Sequence, residues 1–74
     1  MELIETFTPK DAKGREANGR NLRGVCQVAY KMAMRDGKPY RVGPTAYGLK
    51  IGNFPPSHPQ WEVRPNGEVY RVNN

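Results

Sequence analysis

The chain has one cysteine, one histidine and one serine, so chemistry that needs several such side chains is excluded at the outset. Cys26 has no partner for an internal disulfide, and with only His58 beside it cannot complete a structural zinc site. No apolar run approaches the roughly 18–20 residues of a membrane span. The N-terminus, Met1 to Phe7, lacks the basic start and apolar stretch of a signal peptide. A lone cysteine also fits a reducing compartment. These absences lead to the expectation of a soluble, cytoplasmic protein. At 74 residues it is one small domain, 1–74, near the size limit for an unaided core. That core must come from aliphatic and aromatic side chains, or be completed by a partner.

Acids are scarce where bases are dense. The segment from Lys10 to Lys50 holds ten Lys/Arg against three acids, Asp11, Glu16 and Asp36. The two ends reverse the balance, with Glu2, Glu5, Glu62 and Glu68 against Arg64 and Arg71. The middle at +7 and the ends at −2 give the net charge of +5. A localised positive field suits phosphates or an acidic protein surface.

The clearest element starts near Asn21, a favourable N-cap, and ends at Asp36-Gly37 with Pro39 beyond. Leu22, Val25, Cys26, Ala29, Met32 and Ala33 recur at helical spacing and form one apolar stripe. Arg23, Gln27, Lys31 and Arg35 fall four apart on the other side, giving a basic face. Gly24 weakens the helix by about 1 kcal/mol relative to alanine. Before it, residues 2–7 read as a short strand ended by Pro9. Residues 8–20, glycine-containing and charged without a large apolar side chain, read as a loop or mobile arm.

Downstream the period shortens. Tyr40 and Val42 flank Arg41, and Gly43-Pro44 reads as a break. Tyr47, Leu49 and Ile51 alternate with smaller or polar residues, which favours a strand, while Thr45 could cap a short helix that Gly48 opposes. Phe54 to Pro59 is too rich in proline for a helix or central strand. Trp61 to Val72 is a hairpin candidate turning at Pro65-Asn66-Gly67, because Asn-Gly tolerates the positive φ of tight turns. Trp61 and Val63 share a face, and so do Tyr70 and Val72, but Val69 breaks the alternation and leaves the register open.

Nothing in the chain composes an enzyme site. Cys26 lies on the apolar stripe, where an inert core thiol is the expectation. His58 sits among prolines, and its neighbour Ser57 is not in triad geometry with it. The seven carboxylates are scattered. The glycines at 14, 19 and 24 match neither a phosphate loop nor a dinucleotide turn. No cofactor and no metal is expected.

The cations carry the functional expectation: Arg15, Arg20, Arg23, Lys31, Arg35, Lys38 and Arg41, with Arg64 and Arg71 on the hairpin. Charge for solubility alone is the alternative. Two features favour binding. The helix interior lacks the glutamates that usually sit four residues from its cations. Tyr30, Tyr40 and Tyr47 are interleaved with the bases, as suits stacking or cation–π contacts, although Tyr47 is expected in the core instead.

From Thr45 onward the order of features resembles excisionase-like winged-helix DNA-binding proteins. The matching residues are Thr45, Tyr47, Leu49 and Gly52, then Phe54-Pro55-Pro56, then the hairpin Trp61 to Val72 around Asn66-Gly67. The resemblance implies that Thr45–Ile51 enters the major groove and that Arg64 or Arg71 meets phosphate. In size, charge and lack of chemistry the chain also resembles small basic phage proteins that bind a host enzyme, host RNA polymerase above all.

The expected fold is α+β: one amphipathic helix, Asn21 to Asp36, packed on a small antiparallel sheet from about 40–52 and 61–72, with the N-terminal strand at its edge. The expected core is Leu22, Val25, Ala29, Met32, Leu49, Ile51, Phe54, Trp61 and Val63. The expected function is that of a non-catalytic, transcription-associated regulator whose partner is acidic, either a host protein such as RNA polymerase or nucleic acid.

Overall fold

The computed structural model describes residues 1–73. Strands β1 (Glu2–Thr6), β2 (Asn18–Gly19), β3 (Tyr40–Thr45), β4 (Gly48–Gly52), β5 (Trp61–Val63) and β6 (Glu68–Arg71) form one sheet. The strand order is β1-β6-β5-β3-β4-β2, and every neighbouring pair is antiparallel. Helix α1, Leu22–Asp36, lies across one face over β2, β3, β4 and β5. The fold is α+β, with the N-terminal strand at one edge, as the sequence predicts.

The helix begins and ends on its own signals. Asn21 is extended, and its side-chain oxygen accepts from the Gly24 N–H at 3.1 Å. Gly37 closes the other end in the left-handed conformation, donating to the Ala33 carbonyl at 2.8 Å. Beneath it, Val42 pairs with Ile51 and Val63 with Val69, so these side chains meet Val25, Cys26 and Ala29 of α1 in the core. Val69 therefore belongs to the core row, and Tyr70 faces the other side of the sheet. Met32, Leu22, Leu49 and Trp61 flank this core half-buried.

The buried side of α1 is wider than one stripe. Every residue from Val25 to Tyr30 is buried, Gln27 included at 8% exposure. The cause is a second cover. Phe7, absent from the expected core, is buried and its ring stacks on Tyr30 with centroids 5.7 Å apart. From there the chain runs along the helix through a 3-10 turn at Pro9–Asp11, where Asp11 accepts from the Thr8 N–H at 2.9 Å. Lys31 Nζ donates to the Gly14 carbonyl at 2.6 Å, and the Ala17 carbonyl accepts from the Ile51 N–H at 3.0 Å. The segment 8–20 thus contributes a 3-10 turn and the edge strand β2.

Three local expectations are corrected. Gly43-Pro44 is not a break but part of β3. In a strand the N and C=O of one residue face the same side, and the Pro44 carbonyl lies 3.0 Å from His58 Nε2. Its missing N–H therefore points to the β5 side, past Val42, the last β3 residue paired with β5. Residues 45–51 form the β3–β4 turn and a strand, not a recognition helix. Tyr47, at the tip of that turn, is not core but 94% exposed. At the β5–β6 hairpin only Gly67 takes positive φ, +95°, and Asn66 does not. Arg64 N–H bonds to Glu68 O and Gly67 N–H to Arg64 O, each at 2.9 Å. That is a three-residue loop, Pro65-Asn66-Gly67, with its glycine in the last position, where the sequence places the turn.

The sheet face away from α1 has its own cover. The loop from Asn53 to Gln60 folds over it, seating Phe54 against Gly43, where a Cβ would stand 2.8 Å from Phe54 Cε1. Phe54 and His58 stack nearly parallel, centroids 5.1 Å apart. Phe54 is therefore half-buried on this second face and not in the helix-side core.

Candidate functional site

The nine candidate cations divide into two groups. Most are engaged within the chain. Arg23 Nε lies 2.9 Å from Glu5 Oε2 and its Nη2 is 3.9 Å from Asp11, with the guanidinium 5.4 Å from the centre of the Phe7 ring. Lys31 holds Gly14. Arg35 donates to both carboxylate oxygens of Asp36, at 2.8 and 3.0 Å, and the Tyr40 hydroxyl donates to the same group. Arg41 donates to Glu62 Oε1 at 2.9 Å and to Gln60 Oε1 at 2.7 Å. Arg64 takes the other Glu62 oxygen at 2.7 Å and lies 4.2 Å over the Tyr70 ring. Arg71 stands 3.8 Å from Glu2, and Lys38 5.4 Å over Tyr40.

These contacts show in the acid–base chemistry. Hydrogen bonds from Arg35, then Tyr40, hold the Asp36 carboxyl well below its ordinary range. Partial burial pushes Glu62 up, but the hydrogen bonds from Arg64 and Arg41 outweigh it and the net shift is downward. The Thr8 N–H lowers Asp11, and the Tyr70 hydroxyl lowers Glu68. For the helix, Arg23 receives its acids from β1 and the 3-10 turn, Glu5 and Asp11, while Glu62 of β5 serves Arg41 and Arg64. Only folding brings them there.

Arg15 and Arg20 are the exceptions. Both are exposed, and neither has an ion-pair partner among the described residues. They flank β2, whose Asn18 pairs with Lys50 of β4, another cation without a carboxylate partner there. Tyr47 borders the same recess as Asn18 and Lys50. Arg20 reaches the β3–β4 turn, its Cγ 3.8 Å from where a Gly48 Cβ would be. The result is an exposed patch of Arg15, Arg20, Lys50 and Tyr47 around the open β2 edge, with Glu16 as its one neighbouring acid in the 14–20 segment.

Beside this patch runs a groove of about 310 Å³ between residues 14–20 and the first two turns of α1. Its apolar part is Gly24 with the narrow exposed remainder of Val25 and Val28, 3% and 5% accessible, and Arg15, Glu16 and Arg20 form its polar part. Gly24 is open to it: a Cβ there would meet only Asn21, at an ordinary 3.8 Å.

The other sequence candidates are structural. Cys26 is buried, and burial, with a smaller contribution from the Glu5 charge, pushes its thiol up to about 12. At neutral pH almost no nucleophilic thiolate exists. His58 is engaged by Phe54 and Pro44. Among the described residues no three His, Cys, Asp or Glu side chains gather as metal ligands, and no helix is long and apolar enough to cross a membrane. Of the interleaved aromatics, Tyr30 is buried beneath Phe7 and Tyr40 is engaged by Asp36, which leaves Tyr47 alone accessible for stacking.

Comparison with protein-family models, curated proteins and solved structures finds no match. The site thus rests on its own geometry. Sequence reasoning passed over Lys50 and Val28 and read Gly24 as a weakness. The available signal was the glycine itself, a costly residue inside a helix where packing does not require one.

Proposed function

We propose that this protein is a non-catalytic regulator that works by binding, in the cytoplasm and in transcription, through an acidic surface on a host enzyme such as RNA polymerase. The transcription setting comes from the likeness to small basic phage regulators. The mode of binding comes from the charge distribution. One observation carries it: among the described residues Lys10, Lys13, Arg15, Arg20 and Lys50 have no carboxylate partner, and the last three of these lie around one sheet edge, beside exposed Tyr47. Tyrosine and arginine are the residues most often found at the energetic centre of protein interfaces. The buried Cys26 thiol supports a role without covalent chemistry.

DNA binding is the second reading, favoured by Tyr47 next to Lys50, which could stack on a base while the cation meets phosphate. With residues 45–51 in a turn and strand, such binding would use the hairpin tip and not a helix in the major groove. The test is capture from a bacterial lysate on immobilised protein, with and without nuclease. The protein-contact reading expects the same acidic protein to be retained after nuclease treatment. Loss of all captured material on nuclease treatment would replace it with the DNA reading.

A further inference from the structure

We infer that the groove between residues 14–20 and α1 takes an extended acidic peptide segment of the partner protein, one aliphatic side chain resting on Val25 and Val28 and its acidic neighbours on Arg15 and Arg20. The inference rests on the protein-contact reading above and says where, and by what chemistry, that contact is made. About 310 Å³ is at the small end of ligand pockets and suits one side chain with its adjoining backbone.

Three features of the groove agree. Its apolar floor is aliphatic, with no aromatic ring among its lining residues on which a nucleobase would stack. Arg15 and Arg20, without partners of their own, flank the floor and outnumber Glu16, so an apolar group carried between acids matches the lining in both polarity and charge. Among the described residues no strand lies beside the outer edge of β2, which leaves room for extended backbone to lie along it. Gly24 fits the same picture. A Cβ there would meet only Asn21, at an ordinary 3.8 Å, on the wall of the groove that the ligand would occupy.

The test uses the full chain with isotope-labelled valine methyls and two synthetic peptides, Glu-Asp-Leu-Asp-Glu and Glu-Asp-Ala-Asp-Glu, both capped, with an oligothymidylate as a third probe. The leucine peptide should shift the Val25 and Val28 methyls and the amides of residues 14–20, and the alanine peptide should bind about tenfold more weakly. Gly24→Leu, a better helix former, should melt at or above the parent's temperature and lose the leucine peptide by a similar factor. Gly24→Ala, a smaller filling, should lose less. The groove assignment is wrong if the valine methyls stay still with both peptides, if Gly24→Leu binds as the parent does, or if oligothymidylate moves those methyls in the peptide's place. Acidic peptides that shift Arg15 and Arg20 but spare the valines would overturn the groove and leave the protein-contact reading standing. Peptides that shift neither would remove both.

Discussion

Arg41 and Glu62 stand directly opposite each other on β3 and β5, with Arg41 Nη2 2.9 Å from Glu62 Oε1. One residue belongs to the basic middle of the sequence and the other to its acidic end, so folding cancels part of the asymmetry that the sequence displays. Glu62 also holds Arg64, and its side chain is only 12% exposed. Glu62→Gln leaves two arginines with weakened partners and should cost about 1–3 kcal/mol. Thermal melting checks this, and a variant melting with the parent would show that the pair is only surface decoration.

Acid should unfold the protein through these carboxylates. Asp11, Asp36, Glu62 and Glu68 are all held below their ordinary values in the folded state. The unfolded chain therefore binds protons first, and stability rises with pH across that window. It should be fully present above about pH 4.5, the ordinary value for Glu62 and Glu68, and decline progressively below it. Denaturant midpoints measured from pH 7 to pH 2.5 give the curve, and Glu62→Gln should make its acid limb shallower. Stability that increases on acidification would contradict the assigned ion pairs.

Phe54 lies against Gly43 so closely that even a methyl group displaces it. Gly43→Ala should destabilise by about 1–3 kcal/mol through overpacking. The same substitution in a Phe54→Ala background should cost far less, because neighbouring sites are not additive. Equal costs in both backgrounds would mean that Phe54 does not cover β3.

At the β5–β6 turn, Gly67 combines positive φ with a position where a side chain would collide with the Phe7 carbonyl oxygen. Gly67→Val should cost more than about 1 kcal/mol. Because Phe7 N–H also donates to Gly67 O at 2.8 Å, the loss should extend to the Phe7–Tyr30 contact and appear as a change in near-ultraviolet circular dichroism. An unchanged aromatic signal would separate the two.

What could be read from the sequence was local. Asn21 and Gly37 announce the helix ends, and the alternation of Leu49 and Ile51 announces a strand. Proline and glycine at 65–67 announce a turn. What could not be read depends on partners distant in the chain. Phe7 is one apolar residue beside a proline, and nothing local says that it stacks on Tyr30. Pro44 is tolerated in β3 only because β5 stops at its Val42 pairing. The basic stripe was visible as Arg23, Lys31 and Arg35, but Glu5 and Gly14 engage two of these from 18 and 17 residues away, so their availability is a property of the fold. Arg15 and Arg20 were legible as candidates. Their standing apart from the rest became legible only once the others were seen to be engaged.

The most direct measurement compares two reversals of charge for capture of the acidic partner after nuclease treatment. Arg15→Glu with Arg20→Glu alters exposed side chains that hold nothing else in place, so the melting temperature should stay with the parent while capture is abolished. Arg35→Glu changes a cation already engaged by Asp36 and should leave capture intact at some cost in stability. If the Arg15/Arg20 variant captures the partner as the parent does, the β2 edge is merely solvated surface and the proposed binding face is wrong.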